Sequence, residues 1–485
     1  MALVSPPLGA LVPDSPHATV VCLPTLADVE SYERKEARAW EKIRAGYPRF
    51  VRNELVTRAA VAAAKELGRS GVLFPLVSRR AAEQLAARAG AAIASLDVVG
   101  DFVLLTTPAG EAAERLHKFV QHTGTLISSR QAEAHLKGSV TGETAQSLAR
   151  IRHVLGPYLA GVAAEDIQIT TSGMNAVEAA IVAVNAVQRP RGKKAWIQLG
   201  WLYVDSTRLF EKATDAPHHF VPDVRDLAGV EKILATGKVA GVFTEVPNNP
   251  QLETADIIVL RALCDQYGAK LLLDPSSAGL ATVDVLPHAD ILCSSLTKYA
   301  ASEGDVMAGV LAVNPLRSDA TELLREAKAN IDGLHGLDQI ALAEQIGRMG
   351  EVTARLSATA EEIARRLSAH PAVARVRTAK DGITAAAFRK IQRPGAGAGA
   401  LITLELRKEM RAVYDRLPAV KGPSFGLRFT IVAPFLWLAH FEEVTTPAGR
   451  EAIRAAGLDP DLLRLSIGLE PLEEIWAALA LALDP

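Results

Sequence analysis

The chain has 485 residues, of which 49% are apolar and 22% are charged, and its formal net charge is −2. This is the balance of a soluble globular protein with enough chain for two or three domains. The near-neutral charge and the dispersed arginines, with no basic run, argue against a nucleic-acid partner. No apolar run approaches about 20 residues, so we expect no membrane partner.

Three cysteines, Cys22, Cys264 and Cys293, lie far apart and fit no metal-ligand spacing. An odd and sparse set argues against a disulfide framework and favours a reducing, cytoplasmic location. Cys264 and Cys293 fall in apolar stretches, where we expect buried structural thiols. The sequence therefore predicts no metal site.

Residues 1–60 have the character of an arm rather than a domain. They begin with Pro-rich, extended sequence, continue with a charged helical stretch over about 28–44, and then read GYPRF over 46–50. From residue 61 the pattern changes to an alternation of helix and strand, which continues to about 317.

Short apolar strands separated by Ala-rich helices characterise residues 61–317. The predicted strands are 71–77, 102–106, 167–171, 194–199, 239–245, 270–274, 291–294 and 309–313. Helices such as 175–187 and 255–267 lie between them. This alternation predicts βαβ units and an α/β domain with a mostly parallel central sheet, covered by helices on both faces.

The remaining residues, 318–485, predict a smaller α+β domain. A long helical stretch over 336–369 is followed by strands at 400–406 and 463–467 and a terminal helix at 472–481. The Gly-rich stretch 393–399 lacks the strand-then-helix context of a phosphate loop, so we predict a flexible loop there.

Polar groups follow four of the predicted strands, and ligands of open α/β sheets collect at the carboxyl ends of strands. Strand 291–294 leads to Ser295, Thr297 and Lys298. A lysine directly after a buried strand is desolvated and lowered in pKa, as a Schiff-base amine requires, although an exposed lysine is the commoner outcome. The two hydroxyls are suitable donors to a phosphate.

The other three strand ends have groups that suit the same ligand. Strand 270–274 ends in Asp274, which either caps the next turn or keeps a pyridine nitrogen protonated. Strand 167–171 leads into Ser172-Gly173-Met174 and a helix, where backbone N–H groups can approach a phosphate. An amide pair, Asn248-Asn249, follows strand 239–245. Together these groups predict a site for pyridoxal 5'-phosphate (PLP).

Motifs in this order resemble those of the Cys/Met-metabolism PLP enzymes, a family that includes cystathionine γ-synthases, cystathionine lyases and homoserine sulfhydrylases. The motifs are TSGMNA (171–176), FTEVPNNP (243–250), LLLDPSS (271–277), SSLTKY (294–299) and LRLSIGLE (463–470). The stretches SPHATVVCLPT (15–25), GYPRF (46–50), QHTGTLISSRQAE (121–133) and VDVLPHADILCSSLTK (283–298) resemble the long fungal-type cystathionine γ-synthases. The resemblance covers nearly the whole chain.

The resemblance implies PLP fold type I, the aspartate-aminotransferase-like fold, and a role for each matching residue. Lys298 is then the Schiff-base lysine and proton shuttle, and Tyr203 stacks on the cofactor ring and assists proton transfer. The residues implied in cofactor binding are Ser172, Gly173, Met174, Asp274, Ser276, Ser295 and Thr297. Asn249 and Arg464 are implied to hold the substrate α-carboxylate, with Ser424 in the substrate loop.

The arm and the substrate loop carry two further implications. Tyr47 and Arg49 match a Tyr-x-Arg motif that reaches the phosphate of a neighbouring subunit, so we expect a homodimer or homotetramer with shared sites. Residues 429–441 are apolar where relatives carry polar groups facing the substrate side chain. This departure leaves the identity of the substrate side chain or nucleophile open.

The function that the resemblance implies is γ-replacement: cysteine displaces the acyl group of an O-acylhomoserine and gives cystathionine. A γ- or β-lyase or a homoserine sulfhydrylase is the nearest alternative, because the scaffold is shared. A non-catalytic oligomeric scaffold is the alternative from a different class. Retention of Lys298, Asp274, Tyr203 and Arg464 together argues against it.

Overall fold

The structure, a computed structural model, describes residues 3–89, 93–139, 144–213 and 217–484. Four units follow one another along the chain: an arm, an insert, a large unit and a C-terminal unit. All three cysteines are free and buried, as expected for structural thiols. Within the described ranges, no helix is long and apolar enough to cross a membrane.

The arm packs on the C-terminal unit and contributes to its core. It contains β1 (Leu11–Val12), β2 (Val20–Val21), α1 (Leu26–Glu33) and α2 (Ala37–Trp40). A capping box between Thr25 and Asp28 begins α1, whose Leu26 and Val29 are buried against the C-terminal sheet. The Tyr414 hydroxyl donates to the Leu23 carbonyl at 2.7 Å. These contacts hold the arm against its own chain.

Residues 54–137 form a separate small α/β unit, which we call the insert. Its elements are α3 (Glu54–Glu66), β3 (Val72–Leu76), α4 (Arg79–Ala89), β4 (Ser95–Val99), β5 (Phe102–Thr107), α5 (Glu111–Thr123) and α6 (Ser129–Lys137). The strands form an antiparallel sheet of order β3-β5-β4. Successive residues of β5 face opposite sides of the sheet: Phe102 and Leu104 pack against α3 and α6, and Val103 and Leu105 pack towards α4 and α5.

The insert differs from the predicted organisation in two ways. Strands predicted at 71–77 and 102–106 belong to this separate sheet rather than to the central one, because β5 is covered on both faces by the insert's own helices. The boundary predicted at residues 60 and 61 falls inside α3.

The large unit follows the insert and contains the mostly parallel sheet that was predicted. Its elements are α7 (Ala145–Leu155), β6 (Gln168–Thr170), α8 (Gly173–Gln188), β7 (Ala195–Leu199), α9 (Val204–Ala213), β8 (His218–Val221), α10 (Leu227–Leu234), β9 (Val239–Glu245), α11 (Ile257–Tyr267), β10 (Lys270–Asp274), β11 (Ile291–Ser295), β12 (Gly309–Val313), α12 (Ala320–Asn330) and α13 (Gly336–Ile346). The strand order is β6-β12-β11-β10-β9-β7-β8, and only β12 is antiparallel to its neighbours.

Helices cover both faces of this sheet, which explains why its central strands are continuous apolar runs. In β10, Leu271 and Leu273 belong to the core on one face and Leu272 to the core on the other. Pairing of β9 with β10 sets Glu245 beside Asp274 at the carboxyl edge. The register therefore brings the polar residues that end these strands together.

The C-terminal unit contains α14 (Met349–Ser368), β13 (Val373–Arg377), α15 (Ala385–Ile391), β14 (Leu401–Leu406), α16 (Met410–Arg416), β15 (Val420–Lys421), β16 (Ile431–Ala433), α17 (Phe435–Ala439), α18 (Phe441–Val444), α19 (Pro447–Ala455), β17 (Leu463–Ser466) and α20 (Leu472–Leu483). Its sheet has the order β13-β14-β17-β16-β15, so the predicted α+β character is confirmed. The helix predicted over 336–369 is two helices, α13 and α14, separated at Gly347 and Arg348.

A close approach between β12 and the turn before α8 generates the first prediction. A Cβ on Gly309 would lie 2.4 Å from the Ser172 carbonyl oxygen and 2.6 Å from the Gly173 nitrogen. We expect Gly309→Ala to lower the free energy of unfolding by about 1–3 kcal/mol, because backbone atoms must shift. Chemical denaturation measures this. Gly156→Ala is the matched control, since Gly156 has open space around it and helical φ and ψ of −49°. Equal stability of the two variants would contradict the packing described here.

Candidate active site

A cavity lies at the carboxyl edge of the large sheet, where the arm, the large unit and the C-terminal unit meet. Twelve of the fourteen residues predicted for the site line it: Tyr47, Arg49, Gly173, Met174, Tyr203, Asn249, Asp274, Ser276, Ser295, Lys298, Ser424 and Arg464. The other two, Ser172 and Thr297, are absent from the described lining. The structure thus assembles residues that are up to 417 positions apart.

Lys298 follows β11, and its amine is buried in this cavity. The Nζ atom donates to the Ser424 hydroxyl at 2.9 Å and lies 4.5 Å from the ring centre of Tyr47 and 4.8 Å from that of Phe425. Burial, reinforced by the positive charge of Arg464 and then of Arg49, lowers the pKa of Lys298 well below its ordinary value. Both effects favour the neutral form of the amine, which is the form that acts as a nucleophile and proton acceptor.

Two residues with positive φ hold this amine in place. Tyr299, next to Lys298, has φ +24°, and Ser424 has φ +120°. Such backbone costs about 1–3 kcal/mol at each non-glycine residue and persists only where neighbours enforce it. The Tyr299 hydroxyl donates to the Ser277 carbonyl at 2.8 Å and accepts from the Ala400 N–H at 3.0 Å. Arg464 donates to the Ser424 carbonyl at 2.7 Å.

Asp274 ends β10 and presents a buried carboxyl to the cavity. The Ser276 N–H donates to its Oδ1 at 2.8 Å. Burial raises the pKa of Asp274 to about 6, against the opposing effect of the Ser276 hydrogen bonds. Burial and the nearby Asp274 charge also raise the pKa of Glu245 well above its ordinary value. A protonated pyridine nitrogen is the kind of partner that stabilises such a carboxyl as an anion.

The N-terminus of α8 lies at the end of the cavity where phosphate binding is predicted, and we call it the phosphate-binding end. Gly173 lies so close to the next loop that a Cβ there would be 3.0 Å from the Ser295 Cβ. The Ser295 Oγ is buried and has no hydrogen-bond partner within the described part of the chain. A helix N-terminus, a close-approaching glycine and an unsatisfied hydroxyl together suit a phosphate dianion.

The hydroxyls of Ser172 and Thr297, which are predicted to contribute to cofactor binding, form hydrogen bonds to the backbone. The Ser172 Oγ caps α8 by accepting from the Asn175 N–H at 3.1 Å. The fully buried Thr297 Oγ1 accepts from the Ala308 N–H at 3.0 Å and donates to the Ala308 carbonyl at 3.3 Å. Backbone groups therefore use both hydroxyls.

Tyr47 and Arg49 line the cavity within the described chain. The Arg49 guanidinium lies 5.3 Å from the Tyr47 ring centre and 5.0 Å from that of Tyr203, and it donates to the Tyr203 hydroxyl. Packing of the arm on the C-terminal unit directs residues 46–50 to this position. The expectation that these residues serve a neighbouring subunit stays a prediction.

Arg464, in the middle of β17, lies at the opposite side of the cavity. Its Nη1 donates to the Asn249 Oδ1 at 3.4 Å, and its buried Nε has no partner among the described residues. Burial lowers the pKa of Arg464 to about 10, so the side chain remains a cation at neutral pH. An unsatisfied buried guanidinium N–H is suited to a carboxylate.

An apolar wall completes the cavity beside Arg464. We use this term for Phe50, Phe425, Ala433, Phe435, Leu438 and Ala439. Four of these residues fall in the apolar stretch 429–441, so the stretch does contribute to the cavity as predicted. The rings of Phe435 and Phe425 lie 4.9 and 5.2 Å from the Arg464 guanidinium.

Three polar residues of the site region were not predicted. Glu245 lines the cavity and accepts from the Tyr203 N–H at 2.5 Å; it lies within the recognised motif FTEVPNNP, and its position at a strand end was the available signal. Asp205 lies two residues after Tyr203, and His122 comes from the insert. No local sequence pattern connects Asp205 with His122.

The described residues fit PLP at each of its functional groups. Lys298 presents a buried amine whose pKa is lowered, Asp274 presents a carboxyl for the ring nitrogen, and Ser295 with the N-terminus of α8 presents donors for the phosphate. The fold and these residues define a PLP-dependent enzyme of fold type I. No group of side chains able to hold a metal ion occurs in the part of the chain that the structure describes.

Sequence comparison identifies the family. Residues 151–484 match the family described as Cys/Met metabolism PLP-dependent enzymes. The chain belongs to this family. The insert and the arm lie outside the matched residues.

Two curated relatives differ in the reaction that their names describe. The L-2-amino-4-chloropent-4-enoate dechlorinase/desaturase of Streptantibioticus cattleyicolor is 36% identical over 100% of this chain and 99% of that protein. The cystathionine gamma-synthase of Neurospora crassa is 30% identical over 71% of this chain and 55% of that protein. The family is thus common to both, and the reaction is not.

A solved structure confirms the fold. The cystathionine gamma synthase of Xanthomonas oryzae pv. oryzae in complex with cystathionine has a TM-score of 0.61 and 23% identity, over 71% of this chain and 86% of that chain. Cystathione gamma lyase (CalE6) of Micromonospora echinospora has a TM-score of 0.57 over 66% and 82%. The likeness extends to a synthase and a lyase and shows the fold alone.

The placement of Arg49 in its own chain's cavity generates the second prediction. If each chain contributes both Arg49 and Lys298 to one site, chains with Arg49→Ala and chains with Lys298→Ala cannot repair each other. We therefore expect a co-expressed mixture of the two variants to contain no sites with wild-type PLP affinity. Absorbance titration with PLP measures this, with each variant alone as the control. Recovery of wild-type sites in the mixture would show that the residues act across subunits.

Proposed function

We propose that this enzyme uses PLP to eliminate a leaving group from the γ-carbon of a small, otherwise apolar α-amino acid. The observation that carries the proposal is the composition of the cavity beyond Arg464. Its wall is apolar, and the charged side chains of the described lining are Arg49, Glu245, Asp274, Lys298 and Arg464. A compact substrate side chain without charge fits these surroundings.

The arginines of the lining already have partners when a single amino acid is bound. Arg49 is bonded to Asp205 and Tyr203, and Arg464 faces a single carboxylate with its free Nε. A second amino acid, such as an incoming cysteine, would bring another carboxylate. The described lining has no further cation for it. Elimination needs only one amino acid and therefore suits the cavity better than replacement.

Substrate binding begins at Arg464. Its Nε and the Asn249 amide bind the α-carboxylate, since an arginine beside an amide offers several directed donors. This contact turns the substrate side chain towards the apolar wall and its α-carbon towards Lys298. Fixing both ends converts the later proton transfers into steps within one complex.

Proton transfer is the task of Lys298. Bound PLP supplies the electron sink that stabilises negative charge at the substrate α-carbon. The Lys298 Nζ accepts the proton of the α-carbon, because burial and the two arginines lower the pKa of the amine and so favour its neutral form. The Ser424 hydroxyl, 2.9 Å from Nζ, holds the amine in position. Burial raises the pKa of Tyr203 well above its ordinary value, so its phenol remains protonated and acts as a donor.

After the α-proton has been removed, a second proton leaves the β-carbon and the anion leaves the γ-carbon. Return of one proton to the α-carbon balances the reaction, so the side chain loses one proton and one anion and gains one unit of unsaturation. It requires no oxidant or reductant. The apolar wall excludes water, so elimination is favoured and hydrolysis of the substrate is disfavoured. The relative from Streptantibioticus cattleyicolor supports the proposal, because its name describes dechlorination of an amino acid with its chlorine at C4, the γ-carbon.

The γ-replacement of an O-acylhomoserine with cysteine, which the sequence resemblance implies, is the second candidate. The relative from Neurospora crassa, named as a cystathionine gamma-synthase, supports it. Both reactions use Lys298 and Arg464 in the same way and differ after the γ-group has left.

A product analysis separates the two candidates and gives the third prediction. The PLP-loaded enzyme is incubated with L-2-amino-4-chloropent-4-enoate and, separately, with O-acylhomoserine with and without cysteine. We expect chloride release and a new unsaturated amino acid by NMR in the first mixture, and no cystathionine in the others. Lys298→Ala, which lacks the proton acceptor, should give neither. Cystathionine formation without chloride release would favour replacement and overturn elimination.

The apolar wall provides the fourth prediction. Leu438 lines the cavity, whereas its neighbour Trp437 points away and donates to Asp461 at 3.2 Å. Replacing Leu438 with asparagine keeps a similar size but adds an amide, and an apolar substrate side chain offers that amide no hydrogen-bond partner. We expect kcat/KM for the chlorinated substrate to fall about 10-fold to 100-fold with unchanged PLP affinity. Trp437→Phe is the matched control and should leave kcat/KM unchanged. An equal effect of the two substitutions would contradict a direct contact of Leu438 with the substrate.

A further inference from the structure

A buried ionic cluster lies behind the phosphate-binding end of the cavity. It joins Arg49 of the arm, Asp205 of α9 and His122 near the end of α5 in the insert. Their side chains are 2%, 1% and 6% exposed. Charged groups are rarely buried to this extent unless each has a partner, so the cluster has a specific role.

Asp205 is the centre of the cluster. One carboxylate oxygen accepts from Arg49 Nη1, and the other lies 2.9 Å from His122 Nδ1 and 3.3 Å from the Gln121 side-chain amide. The Gln121 carbonyl accepts from the same Arg49 Nη1 at 2.9 Å. The last turn of α5 therefore contacts the arginine both directly and through Asp205.

These bonds leave one edge of Arg49 available. Its Nη1 is used by Asp205 and Gln121 and its Nη2 by Tyr203, whereas the buried Nε has no partner among the described residues. Burial alone would lower the pKa of Arg49, but the Tyr203 and Asp205 groups outweigh burial and raise that pKa. Arg49 is therefore a permanent cation with one free donor.

The free edge lies next to the N-terminus of α8. At Gly124, which follows α5, a Cβ would lie 2.2 Å from the Ser172 Oγ and 3.1 Å from the Arg49 Cδ. Gly124 has φ +66°, a conformation that glycine adopts without strain. The end of the insert thus packs between the arginine stem and the residue that caps α8.

We propose that Asp205 and His122 are positioning residues, through which the insert holds Arg49 against the phosphate-binding end of the cofactor site. The proposal rests on the proposed PLP-dependent function and on the phosphate contact that the sequence resemblance implies for Arg49. The negative charge of Asp205 by itself weakens the attraction of the phosphate to Arg49. Asp205 therefore contributes to PLP affinity by orienting the guanidinium. Without it, the guanidinium loses an acceptor and is free to turn away from α8.

The test compares PLP with pyridoxal, which lacks the phosphate. We expect Asp205→Ala to weaken PLP binding on the order of 10-fold to 100-fold, because a buried donor is left unpaired, and His122→Ala to weaken it several-fold. Pyridoxal affinity should stay unchanged in both variants. Asp205→Asn retains an acceptor and should lie between Asp205→Ala and the wild type. Absorbance titrations of the wild type and of each variant with PLP and with pyridoxal give these affinities.

Arg80→Gln is the matched control. Arg80 also joins the insert to the large unit, through a 2.5 Å ion pair with Asp332, but it has no contact with Arg49. We expect Arg80→Gln to loosen the insert and to leave the ratio of PLP affinity to pyridoxal affinity unchanged. An equal loss of both affinities in the Asp205 variants would show a purely structural role and overturn the proposal.

Three further outcomes are distinguishable. Tighter PLP binding in Asp205→Asn would show that the carboxylate opposes the phosphate more than it orients Arg49, and would overturn the proposal. If Arg49→Ala itself leaves the ratio unchanged, the phosphate contact that the resemblance implies for Arg49 fails, and the proposal fails with it. If Arg49→Ala lowers the ratio and the Asp205 variants do not, only the positioning role fails.

Discussion

Desolvation of the Lys298 amine is the interaction on which the site depends. Burial and the charges of two arginines lower the pKa of this amine well below its ordinary value, which favours the neutral form that reacts and accepts a proton. The same burial requires every neighbouring polar group to have a defined partner, and Ser424, Tyr299 and Arg464 form a rigid set around it. Positive φ values at Tyr299 and Ser424 are the conformational cost of that rigidity.

The units of the fold meet at this amine. The large sheet supplies the lysine and Asp274 from adjacent strand ends, the C-terminal sheet supplies Arg464, and the arm supplies Tyr47 and Arg49. The insert reaches the same place indirectly, through the cluster at Asp205. Arg49 is anchored within the described chain by Asp205, Gln121 and Tyr203. In the function we propose, the apolar wall favours substrate side chains without charge.

Sequence reasoning recovered the central sheet and most of the lining because both depend on short patterns. Apolar runs that end in Asp274 or lead into Lys298 are visible locally, and the family motifs add the distant Arg464. Three kinds of feature were not visible. The strands β8 and β13, with polar sequences HHFV and VARVR, lack an apolar run. Whether the hydroxyls of Ser172 and Thr297 face a ligand or the backbone depends on loop geometry. The pairing of Asp205 with His122 joins residues 83 positions apart.

Covalent labelling tests the central claim most directly. The PLP-loaded protein is reduced with borohydride, digested and analysed by mass spectrometry, which identifies the nitrogen that holds the cofactor. A single pyridoxyl group on the peptide containing Lys298 is the result expected from its buried amine with a lowered pKa. A label on another lysine, such as the buried Lys421, whose pKa burial lowers to about 8, would contradict the assignment of the cavity as the cofactor site.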